Sequence, residues 1–266
     1  MPQFNITEDS LMRINTNVGA LNASKNIFVN EMATNSSMAK LSSGLRISRA
    51  ADDAAGLSIA NKLRTQSRSL TAASNNAEQG SAMLQIAESA ASTIQKIIER
   101  QKELITQAQS TGNNSTVSAT LGTEIATLQT ESARILAASD FQGANVFASL
   151  TFQVRDSATS GQVTVNAALT LTSLSGASSL ANADTALDAV NSTLANIGAG
   201  QSVLDYTVQN LKSAIVNVRA AESVIRDVDM AEEMANFTKS NILKQAAEAM
   251  LSQANQGSQG VLQLLR

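Results

Sequence analysis

The stretch that decides the fold runs from 63 to 108 and reads LRTQSRSLTAASNNAEQGSAMLQIAESAASTIQKIIERQKELITQA. Steps of seven from its first residue land on Leu63, Leu70, Ala77, Leu84, Ala91, Ile98 and Ile105, all apolar. The positions three further on are Gln66, Ala73, Gly80, Ala87, Ile94, Gln101 and Ala108. An apolar stripe with a mean spacing of ~3.5 residues marks a long helix that zips onto another helix. The only Pro is Pro2, and no Gly lies between Gly80 and Gly112. Residues 55–109 as one helix extend roughly 80 Å at ~1.5 Å per residue, which predicts a rod.

Working outward, the C-terminal flank carries a matching stripe. Leu187, Val190, Leu194, Ile197, Gln201, Leu204, Val208, Leu211, Ile215, Val218 and Ile225 follow three- and four-residue steps. Two such stripes in one chain predict antiparallel helices. STGNNSTVSAT (110–120) reads as a turn between helices. Across 141–180 the pattern changes to β-branched residues in partial alternation, with Val163 and Val165 flanking Thr164 and Gly161 in the turn between two candidate strands. The expected fold class is mainly α: a long antiparallel helical coiled-coil rod, a small β-hairpin at the middle of the chain, and terminal helices that pair.

Composition narrows the function. The chain has 266 residues, 19 Lys+Arg against 22 Asp+Glu, and a net charge of -3. Without Cys it has no disulfide, thiol nucleophile or zinc–thiolate site. Without His it lacks imidazole ligands and the usual general base near neutral pH. No metal, cofactor or catalytic residue is expected, and the chain reads as no enzyme. The slightly acidic balance argues against nucleic acid as a partner. No apolar run approaches the ~20 residues that span a bilayer, and interfacial helices usually carry a Lys/Arg-rich polar face, so no membrane partner is expected. MPQFNITEDSLMRINTN is polar throughout and is no secretory signal of the usual kind; taken alone, this reads as cytoplasmic.

The two ends are charge-poor. Residues 14–39 hold only Lys25 and Glu31 as charges, and 249–265 hold none. Apolar residues still recur at helical spacing: Leu21, Phe28 and Met32 at one end, Met234, Phe237, Leu243, Ala246 and Met250 at the other. Such helices need each other or other chains, because little apolar area offsets their ordering entropy. Burial on assembly is the expectation, and Leu57, Ile59, Leu63, Leu262, Leu264 and Leu265 join Leu21, Phe28, Met32, Phe237, Leu243 and Met250 as candidate subunit-packing residues.

At this point whole motifs become legible. LSSGLRISRAADDAAGLSIANKLRTQ (41–66) closely resembles the N-terminal signature of bacterial flagellins, and INTNVGALNA (14–23) their opening segment. SVIRDVDMAEEMANFTKSNILKQAAEAMLSQANQGSQGVLQLLR (223–266) resembles their C-terminal signature through to the terminal Leu-Leu-Arg. The likeness covers about 14–147 and 185–266. It implies a structural subunit that is exported unfolded through the flagellar type III apparatus and polymerises under a filament cap into the extracellular flagellar filament, for motility. This replaces the cytoplasmic reading. It further implies as partners other copies of the chain, an export chaperone, the cap and hook-associated proteins.

The resemblance also divides the chain. Residues 1–11 read as an extension before the family's usual start, and the resemblance implies a start at Met12 as the expectation. Residues 12–53 and 230–266 form the inner terminal coiled coil and its connector. Residues 54–147 and 181–229 form the rod, and 148–180 the hairpin or short variable segment. Large outer domains are not expected.

Two charged groups are candidates. Arg46, Arg49, Asp52 and Asp53 fall where family members connect the inner and outer layers, and are expected to form ion pairs within the chain or with neighbouring subunits. Adjacent Asp52 and Asp53 cannot face each other on a helix and make no acid/base pair. In IERQKELITQ (98–107) the resemblance implies a contact for the innate immune receptor Toll-like receptor 5, here at Arg100, Leu104 and Glu124. An Arg–Leu pair at i, i+4 shares a helix face. Gln101 and Ile105 depart from the common pattern, which puts receptor activation in doubt. Alternative readings are a hook–filament junction protein and a helical signalling hairpin; the latter should lack the central hairpin.

Overall fold

An Ala-rich sequence with apolar heptads and few helix breakers gives α2, Ala54–Ala108, one uninterrupted helix of 55 residues. The computed structural model describes residues 16–110, 114–155, 161–171 and 180–264. The other helices are α1 (Val18–Ser43), α3 (Ser115–Ala138), α4 (Leu180–Arg226) and α5 (Met230–Leu264). The strands are β1 (Asp140–Phe141), β2 (Ala144–Asn145), β3 (Ser149–Gln153) and β4 (Gln162–Asn166). The turn predicted at 110–120 is shorter than expected, because Ser115 onward is already helical. Leu121, Ile125 and Leu128 give α3 an apolar face that carries its polar first turn along.

The chain divides into two units, Leu63–Ala220 and Met1–Lys62 with Ala221–Arg266. In the first, the heptad stripe is the core. Leu70, Ala77, Leu84, Ala91, Ile98 and Ile105 are buried. From α4 they meet Val190, Ile197, Leu204 and Leu211, also buried. Polar pairs fix the antiparallel register: Glu78 with Lys212, Glu88 with Gln201, and Lys102 with Asp184. The position rises along α2 as it falls along α4. α3 covers another side of α2 through Ile125, which joins Ile98, Leu104 and Ile105 in one cluster.

The strands pair β1 with β2 and β3 with β4, both antiparallel. In the longer hairpin Leu150 faces Val165 and Phe152 faces Val163. Leu150 and Val165 are buried, Phe152 and Val163 half-buried, while Ser149, Thr151, Thr164 and Asn166 are exposed. Strict alternation puts one face on the helices. Two helix glycines make room for it. A Cβ on Gly80 would meet the Phe152 ring at 2.9 Å, and one on Gly200 would meet Val165 Cγ2 at 2.6 Å. Glycine costs a helix about 0.5–1 kcal/mol relative to Ala, and here that cost lets the hairpin approach the helix backbone.

In the second unit, α1 and α5 pack antiparallel. The Asn17 side chain accepts from the Ala20 N–H and so caps α1. Its amide also donates to the Ala254 carbonyl at 3.0 Å. Further along, Lys244 pairs with Glu31 at 3.4 Å. The contact is thin: Ala23 and Ser37 are the buried residues of α1, and Ala247 is buried on α5. Gly44 ends α1 with φ 70°, a left-handed cap whose N–H returns to the Lys40 carbonyl.

Candidate subunit interface

Helical spacing places Leu21, Phe28 and Met32 along α1, and the same helix buries only small residues. These three therefore stand in solvent, with Phe28 64% exposed. On α5, Met234, Ile242, Leu243 and Met250 are likewise exposed, and Phe237 is half-buried. Met234, Ala235, Thr238, Lys239, Ile242 and Leu243 line a shallow groove along α5. Near the start of α2, Ile59 is exposed while Leu57 and Leu63 are half-buried. Leu265 lies outside the described residues, as do the side chains of Leu262 and Leu264 and all of the 1–11 extension. Covering a Leu, Phe or Met side chain fully stabilises by about 1.5–3 kcal/mol. Repeated along α1 and α5, that term makes these faces suited to association.

Within the single chain, backbone bonds hold the connector at 44–53, and its four charged residues form no ion pairs among themselves. Leu45 bridges to Asp227, the Arg46 N–H donates to the Arg226 carbonyl at 2.7 Å, and the Val228 N–H donates to the Gly44 carbonyl at 3.1 Å. The Arg46 guanidinium donates to the Ile225 carbonyl. The Asp52 carboxylate accepts from the N–H groups of Arg49 at 2.9 Å and Ser48 at 3.1 Å. Those backbone bonds, from Arg49 first and Ser48 next, hold its pKa below the ordinary carboxylate value. Asp53 accepts from the Gly56 N–H at 2.9 Å and caps α2. Among the described residues, the four side chains do not pair with one another. Both aspartates serve backbone N–H groups, since a turn entering a helix presents more donors than its own carbonyls can take. The buried Ile47 anchors this segment; the sequence signal for it was one large aliphatic residue among polar neighbours.

At the second charged group, Arg100 pairs with Glu103 at 3.0 Å and with Glu124 at 3.4 Å. The Glu103 hydrogen bond, before the attraction of Glu124, raises the guanidinium pKa. Arg100 and Glu124 are thus brought together, and Glu103 is an addition. Leu104 is not part of this surface: it is 1% exposed and packs in the cluster with Ile98 and Ile125. The expected exposed Arg–Leu face fails because α3 and α4 both cover α2 here, which widens its buried stripe. The doubled apolar pairs Ile97–Ile98 and Leu104–Ile105 are the signal of that wider stripe.

The described residues hold no group of His, Cys, Asp and Glu arranged to bind a metal, and no helix long and apolar enough to cross a membrane. The row of uncovered apolar side chains along α1 and α5 makes these helices the candidate interface between subunits. The model for the bacterial flagellin N-terminal helical region matches residues 14–151, and that for the bacterial flagellin C-terminal helical region matches residues 180–265. The chain is 41% identical to a flagellin of Halalkalibacterium halodurans, over 96% of this chain and 100% of that protein. It is 38% identical to a flagellin of Bacillus subtilis, over 96% of this chain and 100% of the relative. A flagellar filament 33 kDa core protein of Treponema phagedenis is 37% identical with the same coverage.

The chain therefore belongs to the bacterial flagellin family. It is a structural subunit of the flagellar filament and not an enzyme.

Proposed function

We propose that this subunit is exported through the flagellar type III apparatus and adds to the growing extracellular filament beneath a cap. Residues 12–53 and 230–266 then form the inner coiled-coil layer, and 54–229 the helical layer and hairpin outside it. The observation that carries the reading is the row of exposed apolar residues on α1 and α5, which subunit addition would cover. A filament repeats a heterologous contact by a helical operator that does not close. In the unassembled state an export chaperone covers the α5 face, and hook-associated proteins meet the same terminal helices at the filament's base and tip. Arg46, Arg49, Asp52 and Asp53 hold the connector in shape, and their exposed edges meet neighbouring subunits.

Seeded growth tests this reading. Purified subunit is added to short filament fragments and followed by light scattering and electron microscopy, beside a chain lacking 247–266. Growth of the full chain alone supports the proposal. Equal growth of the truncated chain would place the driving contact elsewhere.

A finer reading concerns Toll-like receptor 5. Arg100, Glu103 and Glu124 form an exposed charged cluster that a receptor can read, with Leu104 holding the helix from beneath. Reporter cells exposed to the subunit and to Arg100→Ala should respond to the first and less to the second.

A further inference from the structure

The methionines divide sharply between the two units. Met32, Met38, Met230, Met234 and Met250 are 49 to 63% exposed, and all five lie in the unit of α1 and α5. Met83, the described methionine of the other unit, is 7% exposed inside the helix–hairpin cluster. Met1 and Met12 lie outside the described residues. Because the sequence has no Cys, His or Trp, the thioether is the chain's readily oxidised group. Two of the five also line concave surface. Met234 borders the apolar groove of α5, and Met32 borders a pocket shared with Lys40, Arg49 and Asp52.

We propose that Met32, Met38, Met230, Met234 and Met250 are oxidation sites through which peroxide switches the unassembled subunit from competent to incompetent for polymerisation. The inference rests on the reading that these faces are covered in the filament. In the step, a peroxide oxygen bonds to Sδ as the O–O bond breaks. The sulfur gives up two electrons, and hydrogen peroxide leaves as water. The product sulfoxide is polar and chiral where the thioether was apolar and flexible. In a free subunit it stays hydrated and costs little. In a packed interface its oxygen loses water without gaining a donor, which penalises association by about tenfold per buried sulfoxide. Assembly works in the other direction: a subunit already in the filament has its thioethers shielded, so oxidation acts on the free pool first. Methionine sulfoxide reductases reverse the change.

The test treats free subunit and preformed filament with hydrogen peroxide. Oxidation is mapped by peptide mass spectrometry, and each free sample is then offered to fresh seeds. The expected result is sulfoxide at the five exposed positions of the free subunit and not at Met83. Protection in filaments and at least a tenfold slower elongation should accompany it, with recovery after treatment by the two sulfoxide reductases. A chain with all five changed to Leu, compared with its own untreated rate, should be insensitive to peroxide. Should that chain fail to elongate, reductase recovery decides the matter. Unslowed elongation of oxidised subunit would overturn the inference, as would slowing that the reductases do not reverse. Failure of untreated subunit to elongate would instead sink the assembly reading beneath it.

Discussion

In the unit Leu63–Ala220, Leu84, Ile94, Ile98, Ile105, Ile125, Ile197 and Leu204 are fully buried. In the unit of the two ends, Ile47 is the one large aliphatic side chain so enclosed among the described residues. Phe28, Met32, Ile242 and Met250 stand exposed there instead. Both units are built from long helices with periodic apolar residues. They differ in where the partner surface comes from. α2 finds α3, α4 and a hairpin in its own chain, so its stripe closes into a core. α1 and α5 meet along a narrow seam whose buried residues are small, and Phe28, Met32, Ile242 and Met250 face away from it. The same local rule thus yields a finished fold in one region and an interface awaiting its other half in the second.

The sharpest way to break this comparison is to truncate one apolar side chain in each unit. Ile98→Ala should cost about 2–5 kcal/mol in urea unfolding of the free subunit, from lost burial and the cavity left behind. Phe28→Ala should change the same measurement by no more than about 0.5 kcal/mol, while slowing seeded elongation. Equal costs in the free subunit would mean that the end unit has a core of its own.

The next effect separates two glycines on α4. A Cβ at Gly198 meets nothing within 4 Å, whereas one at Gly200 meets Val165 at 2.6 Å. Gly198→Ala should therefore stabilise by about 0.5–1 kcal/mol through helix propensity. Gly200→Ala should destabilise by about 1–2 kcal/mol, as overpacking outweighs that gain. Thermal unfolding reads both, and a common sign would show that the hairpin does not bear on α4 as described.

A smaller change is expected at Gln101. It is buried, its amide donates to the Ile125 carbonyl at 3.2 Å, and its Oε1 has no partner. Replacing it by Met removes an unsatisfied acceptor along with one hydrogen bond. Gln101→Met should leave stability unchanged or raise it by up to about 1 kcal/mol. A marked loss would identify the Ile125 bond as a lock between α2 and α3.

The smallest effect lies in the pH response of the connector. The Asp52 carboxyl titrates below its ordinary value because its charged form accepts the Ser48 and Arg49 N–H groups. Its stabilisation is therefore fully present above the ordinary value of 3.8 and fades as pH falls through the lower folded-state pKa. The amide signals of Ser48 and Arg49 should move in that acidic window in NMR titrations. In Asp52→Asn that movement should vanish.

Much of this fold was legible because periodicity records burial. The heptads from Leu63 foretold the buried face of α2, and the Val163–Thr164–Val165 alternation foretold the hairpin's inner and outer faces. Other features depend on what a linear pattern does not encode. Leu104 turned inward because α3 lies against a second side of α2. Ser115 to Thr120 are rich in Ser and Thr and turn-like, yet tertiary contacts of Leu121 and Ile125 extend the helix over them. Asp52 and Asp53 read as ion-pairing charges, and residue type alone does not reveal that within the chain they also serve backbone N–H groups. At the candidate interface the charge-poor ends were visible from composition. Which side chains remain uncovered followed only once the narrow α1–α5 seam was known.

Hydrogen–deuterium exchange of free subunit and filament, read peptide by peptide, tests the central claim most directly. The account predicts that α1 and α5 amides exchange fast in the free subunit and become strongly protected in the filament. Amides of α2 around 84–105 should be slow in both states. Amides of α1 and α5 as protected in the free subunit as those of α2 would contradict it, because the ends would then be a completed fold and not half of an interface.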